Sequence, residues 1–227
     1  MQMKGSFNMS YKKQFIKFMC ESGVLTFGEF TLKSGRISPY FMNSGNYNTG
    51  EQIAKLGEYY AALIKEKNIT ATTLFGPAYK GIPLAVTTAT ALYNNHGIDM
   101  NYTFNRKEVK DHGEGGVMVG YGLKDGDSVI MIDDVITSGA ALRECIPILQ
   151  STAKVDIKFL VISVDRMEKG KEKDSELSAV QQVFNEFGID IFPIVTLNDI
   201  IDAIENNDIP YKEYLPKMIE YRNKYGV

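Results

Sequence analysis

Val129-Ile130-Met131-Ile132 is an unbroken apolar run, and two acids, Asp133 and Asp134, follow it directly. A strand with one face in water alternates apolar and polar residues, whereas an unbroken run needs cover on both faces. This run therefore belongs in the middle of a sheet flanked by helices. The rest of the chain supplies those layers. Helical spacing predicts helices over 11–22, 51–66, 81–94, 139–150, 176–187, 197–205 and 210–224. Apolar and β-branched runs predict strands over 70–75, 100–104, 117–121, 128–133, 155–164 and 189–195. Strands and helices alternate from residue 70 onward. That rhythm implies right-handed crossovers and an α/β fold with a mostly parallel twisted sheet flanked by helices. Ahead of it, Leu25, Phe27, Phe30 and Leu32 precede a Lys33-Ser34-Gly35-Arg36 turn, and Tyr40 and Met42 follow it, which predicts a short antiparallel hairpin.

At 227 residues the chain suits one domain with an appendage. We expect a single domain over 1–227, residues 11–45 forming a small N-terminal hood. A chain of this length buries enough surface to need no disulfide or metal staple. Its two cysteines, Cys20 and Cys145, form no CxxC pair and fall in predicted helices, so they read as core thiols in a reducing cytoplasm. Lys plus Arg number 25 and Asp plus Glu 28, a formal charge of −3 that lacks the electrostatic footprint of a nucleic-acid binder. No apolar run reaches eighteen residues, so no membrane-spanning helix is expected, and Met1 to Ser10 has no signal-peptide core. Two histidines, His96 and His112, do not make a histidine-rich metal site. His96, between Asn95 and Gly97, reads as a loop residue, and Tyr59 and Tyr60 as ordinary packing.

Ligands of open parallel sheets bind beyond the carboxyl ends of the strands, so the chemistry is sought there. After Asp133 and Asp134 come Val135, Ile136, Thr137, Ser138, Gly139, Ala140 and Ala141. The free N–H groups of a helix start, with the two hydroxyls, form a phosphate cradle. Gly139 lets backbone approach an oxyanion closely. Carboxylates beside such a cradle would repel the phosphate unless they face sugar hydroxyls or Mg²⁺. The segment therefore suits a phosphorylated sugar, although an acidic turn with a hydroxyl N-cap has the same composition. At a second strand end, Gly76-Pro77-Ala78-Tyr79-Lys80-Gly81 is a tight turn whose only charge is Lys80. A lysine at a helix start opposes the helix dipole unless an anion lodges there. Residues 105–116 hold Arg106, Lys107, Lys110 and His112 among acids and glycines, with Val109 the single apolar side chain. Such a loop cannot bury itself, and it fits either a solvated surface loop or a cationic lid that a ligand orders. Arg166, at the end of the strand over 155–164, could pair bidentately with a carboxylate.

The run from Val129 to Ala141 resembles the phosphoribosyl-diphosphate (PRPP) signature of the type I phosphoribosyltransferases: apolar strand, two acids, two variable residues, then Thr-x-Gly. The 105–116 loop is similar to the catalytic loop of the orotate phosphoribosyltransferases within that family. The resemblance covers roughly residues 15–200 and implies a set of roles. Asp133 and Asp134 would accept hydrogen bonds from the ribose hydroxyls, and Val135 to Ala141 would hold the 5′-phosphate. Tyr79 and Lys80 would lie at the diphosphate, with Lys33, Arg106, Lys107, Lys110 and His112. Phe41, Met42, Thr137 and Arg166 would hold orotate. Met42 stands where family members often carry a second aromatic, and a thioether also packs on a ring. The implied reaction joins orotate to PRPP, giving orotidine 5′-monophosphate and diphosphate in pyrimidine biosynthesis. Mg²⁺ would arrive on PRPP with no direct protein site, and the chain would form a homodimer sharing the 105–116 loop across subunits. A transferase for another nucleobase and a PRPP-binding regulator share the pocket, but a neutral base gives Arg166 nothing to pair with. The acidic balance opposes the regulator. The helices after residue 205 carry no motif and read as structural.

Overall fold

The computed structural model describes residues 10–32, 34–110, 116–136, 139–170 and 176–227, the side chains of 109 and 110 excepted. Helix α1 (Tyr11–Glu21) leads into the hairpin β1 (Leu25–Thr31) and β2 (Ile37–Met42). Then follow α2 (Gly50–Glu66), β3 (Thr73–Gly76), α3 (Gly81–His96), β4 (Asn101–Lys110), β5 (Gly116–Gly120), β6 (Ser128–Val135) and α4 (Ala140–Thr152). The chain closes with β7 (Asp156–Asp165), α5 (Ala179–Phe187), β8 (Asp190–Thr196), α6 (Leu197–Glu205) and α7 (Leu215–Tyr225). Six strands form one sheet in the order β5-β4-β3-β6-β7-β8, parallel throughout except for β5 at its edge. Among the described residues no helix is long and apolar enough to cross a membrane.

β6 lies inside this sheet, as its unbroken apolar run requires. All four residues from Val129 to Ile132 are 0% exposed. Successive side chains of a strand point to opposite faces. Ile130 and Ile132 pack with residues of α1, α2, α3 and α6, whereas Val129 and Met131 meet Leu142 and Leu149 of α4 and Val183 of α5. Local sequence sets the helix starts: Thr49 with Gln52, Ser178 with Gln181 and Thr196 with Asp199 each form a capping box.

The hairpin β1–β2 is a separate two-stranded sheet. It is seated on the C-terminal segment: Phe27 packs on Tyr211 and Tyr214 at 4.4 and 5.8 Å between ring centroids, and Tyr40 meets Tyr221 edge-on at 5.9 Å.

Several boundaries differ from the sequence-based expectation. β4 continues through Asn105 to Lys110, which pairs with Gly116 of β5, so residues 105–110 form an arm of an antiparallel hairpin rather than a loop. Charged side chains are compatible with an edge hairpin, because the backbone pairs while the side chains keep water; residues 111–115 lie outside the described set. His96 is the last residue of α3 and not a loop residue. Gly97 adopts the left-handed conformation (φ 65°) after it, and the N–H groups of Gly97 and Ile98 close on Tyr93 and Leu92. The stretch over 210–224 divides into a short 3-10 turn over 212–214 and α7, whose start carries Pro216, a residue suited to a first turn. Both cysteines are free, and burial pushes both thiols up to about 12, which keeps them protonated and inert.

Candidate active site

The tip of β6 is held from both sides. Tyr60 of α2, fully buried, donates its hydroxyl to the Asp133 carbonyl at 2.8 Å, and Ser163 of β7 donates to the Asp134 carbonyl at 2.6 Å. The two carboxylates therefore project from a rigid edge. Asp133 accepts the Asp134 N–H at 2.8 Å, and Asp134 accepts the Val135 N–H at 2.8 Å. Asp134 is also the focus of a small cluster: Lys80 donates to its Oδ2 at 3.0 Å and to the Ser44 hydroxyl at 3.0 Å, and that hydroxyl donates to the same Oδ2.

The two acids have opposite electrostatics. Burial, and then the charge of Asp134, pushes the Asp133 carboxyl up to about 7. Burial also opposes ionisation of Asp134, but the hydrogen bonds from Ser44 and Lys80 outweigh it and hold that carboxyl below its usual range. An ionised carboxylate beside one that burial holds back from ionising still offers acceptor oxygens to a pair of neighbouring hydroxyls.

Immediately beyond, Gly139 caps α4 with φ 70°, and a Cβ there would stand 2.9 Å from Val183 Cγ2. Ala140 and Ala141 open the helix, whose first N–H groups lack intrahelical partners by construction. Val135 ends β6 and Ile136 follows it; Thr137 and Ser138 lie outside the described residues.

The second loop is tightly closed. A Cβ on Gly76 would lie 2.1 Å from the Gly81 carbonyl oxygen, so only glycine fits. Asn105, 2% exposed, accepts the Ala78 N–H at 2.9 Å and so ties β4 to this loop. Tyr79 is 68% exposed, with the Lys107 ammonium 5.8 Å from its ring centre. Arg106 donates to the Gly116 carbonyl at 3.4 Å across the hairpin. Lys80, read in the sequence as a diphosphate contact, is folded back on Asp134. Lys33, His112 and the side chain of Lys110 lie outside the described residues.

A cavity of about 450 Å³ adjoins the strand tip, lined by Leu32, Phe41, Ile136, Arg166, Met167 and Ala179 among others. Phe41 is 43% exposed and leans against Phe30 at 5.5 Å. Met42, one residue further along β2, packs against the core instead of lining the cavity, because neighbours in a strand face opposite ways. Arg166 donates through Nε to the Tyr40 hydroxyl at 3.2 Å and through Nη2 to Glu168 at 2.5 Å. The Nε–Nη2 edge of this guanidinium is thus taken up within the protein, and Nη1 is the nitrogen without a partner among the described residues. Burial pushes the Tyr40 phenol well up, so it stays a neutral hydrogen-bonding group.

Ser44, Tyr60, Asn105, Ser163 and Glu168 support the site, a role the sequence did not assign to them, Tyr60 having been read as ordinary packing. Only Glu168 had a local signal there, a carboxylate two residues from a candidate cation. No group of three or more His, Cys, Asp or Glu side chains gathers to hold a metal among the described residues. Asp133 and Asp134 bring only oxygen atoms to the strand tip, chemistry compatible with a Mg²⁺ that stays bound to a substrate's phosphate oxygens.

Residues 43–192 match the phosphoribosyl transferase domain family. The chain is 49% identical over 218 residues to the orotate phosphoribosyltransferase of Photobacterium profundum, covering 96% of this chain and 99% of that one. It is 50% identical over 218 residues to the Pseudomonas fluorescens enzyme of the same name, with 96% and 99% covered. The crystal structure of orotate phosphoribosyltransferase from Francisella tularensis superposes with a TM-score of 0.83 at 42% identity, covering 94% of this chain and 100% of that one. An acid pair at the β6 tip, a helix start beside it and an arginine-bearing cavity next door are thus found in a chain that belongs to the orotate phosphoribosyltransferase family.

Proposed function

We propose that the β6 tip holds the ribose of PRPP while the adjoining cavity presents orotate to it, so that this one site carries out the family's transfer to orotidine 5′-monophosphate. The observation that carries the proposal is the pair Asp133 and Asp134 at the end of β6, followed closely along the chain by Ile136, which lines the cavity of Phe41 and Arg166, and by the start of α4. Asp133 and Asp134 accept the ribose 2′- and 3′-hydroxyls. The N–H groups that open α4, with Thr137 and Ser138, hold the 5′-phosphate. Phe41 covers the pyrimidine, and Arg166 Nη1 meets the orotate carboxylate.

In the transfer, the bond from ribose C1 to the diphosphate oxygen breaks and its electron pair leaves with diphosphate. Orotate N1 forms the new bond to C1 and releases its proton to solvent, which makes good the proton that the departing diphosphate takes up. The ribose is cationic between these events, and the ionised Asp134, with the partly ionised Asp133 beside it, favours that charge. Lys33, Lys80, Arg106, Lys107 and Lys110 gather on the departing diphosphate in this reading, and His112 gives it a proton near neutral pH. Lys80 must first leave Asp134, so substrate binding exchanges one anion for another at its ammonium. Mg²⁺ would arrive held by the oxygens of PRPP, leaving Asp133 and Asp134 to the ribose hydroxyls, and would supply charge neutralisation on the diphosphate. The 105–116 segment is shared across the subunits of a homodimer, and the enzyme works in the cytoplasm.

Loss of orotate absorbance on adding PRPP, with and without Mg²⁺, tests the reaction. Turnover with orotate that needs both additions is expected. A panel of uracil, adenine and hypoxanthine should give no comparable rate, and preference for any of them would assign the cavity to another base.

A further inference from the structure

Glu168 has no part in the roles above, yet four groups converge on its carboxylate, which is only 13% exposed. Arg166 Nη2 stands 2.5 Å from Oε1, the Tyr40 hydroxyl donates to Oε1 at 3.1 Å and the Tyr221 hydroxyl at 3.0 Å. Arg36 Nη1 approaches Oε2 at 3.5 Å. These partners come from three places far apart in sequence: the hood, the end of β7, and α7.

The neighbourhood is stitched together further. Arg36 donates to the Lys169 carbonyl at 3.3 and 3.2 Å, and its guanidinium lies 4.8 Å from the Tyr225 ring centre. Glu168 forms a β-bridge with Gly226, Lys169 N–H donates to the Tyr225 carbonyl at 2.8 Å, and Val227 N–H donates to the Met167 carbonyl at 3.0 Å. The chain end is thus bound to the segment that carries Arg166.

Two consequences follow from charge and geometry. Two guanidiniums share one carboxylate, so the cluster keeps one positive charge beside the cavity, where a substrate carboxylate can balance it. A lone arginine would sample many rotamers. With Nε on Tyr40 and Nη2 on Glu168, Arg166 is oriented before any ligand arrives, and the ordering is not charged against binding.

We propose that Glu168 is a positioning residue for base recognition: it sets the Arg166 guanidinium in the cavity and, through Tyr221, makes the C-terminal helix part of the carboxylate-binding apparatus. This rests on the assignment of Arg166 to the orotate carboxylate made above.

The test compares Glu168→Gln, Tyr221→Phe and Arg166→Lys by steady-state kinetics in both substrates, each variant checked by thermal melting. Glu168→Gln keeps the shape and removes the charge. It should raise the KM for orotate at least tenfold while the KM for PRPP stays within twofold. Tyr221→Phe, which deletes one hydroxyl, should raise the orotate KM two- to fivefold with the same selectivity, and it decides the matter alone if Glu168→Gln does not fold. Equal rises in both KM values, or a fall in kcat alone, would mean a structural role only and overturn the proposal. If Arg166→Lys raises the orotate KM and neither other variant does, positioning by Glu168 is refuted while the base site stands. If Arg166→Lys leaves the orotate KM unchanged, the base-site assignment itself falls.

Discussion

Asp133→Asn removes a charge that the fold holds at a cost, so it should stabilise the protein while abolishing transfer. The carboxyl ordinarily titrates near 3.8 and is pushed up to about 7 here, first by burial and then by the charge of Asp134. Roughly three pH units at about 1.4 kcal/mol each come to about 4 kcal/mol. Water at the strand tip screens part of this, and about 2 kcal/mol is expected. The sign follows from proton counting. Below about pH 4 both folded and unfolded chains carry the proton, and there is no penalty. Between about 4 and 7 the folded chain keeps a proton that the unfolded chain releases, so stability falls as pH rises. Above about 7 both are ionised and the penalty is constant. Asparagine has no such dependence. Thermal melts of both proteins at pH 5 and pH 8 read the difference. At roughly 2–4 °C per kcal/mol for a chain of this size, the variant should melt about 4–8 °C higher at pH 8. The gap should shrink to roughly a third of that at pH 5. An equal gap at the two pH values, or a variant less stable at pH 8, would refute the electrostatic reading of the acid pair.

Other perturbations separate the parts of the site. Lys80→Ala should lower turnover at least hundredfold, because a cation for the leaving group is lost. Its stability should change by no more than about 1 kcal/mol, since the lysine side chain is 65% exposed; a larger melting shift would make Lys80 structural. Gly76→Ala drives a Cβ to 2.1 Å from the Gly81 carbonyl oxygen. A loss of about 3 kcal/mol or more in urea unfolding is expected, and a wild-type midpoint would show that the turn can relax. Lys110→Ala should cut turnover strongly with an unchanged melting temperature; a rate within a factor of about three, well under 1 kcal/mol, would remove the 105–116 hairpin from catalysis.

The parallel sheet, the place of β6 within it and the acid pair at its end were legible in the sequence because they rest on local patterns. An unbroken apolar run such as Val129–Ile132 has few places to go, and the spacing of Ile53, Leu56, Tyr60, Leu63 and Ile64 marks one face of a helix. The extension of β4 was not legible. Arg106 to Lys110 are charged, and only pairing with β5 makes a strand of them. The supports of the site were equally hidden. Tyr60, Ser163 and Asn105 look like ordinary packing residues until the fold sets them against Asp133, Asp134 and the loop after β3. The electrostatics could not be read at all: Asp133 and Asp134 are chemically identical neighbours, and their carboxyls part only because Lys80 and Ser44 reach one of them. Glu168 shows the same limit most clearly, since its partners at Arg36, Tyr40, Arg166 and Tyr221 are gathered by tertiary packing alone. Sequence by itself determined which chemistry is present and on which strand ends it sits; three-dimensional packing decided the charges, orientations and supports, because those depend on groups distant along the chain.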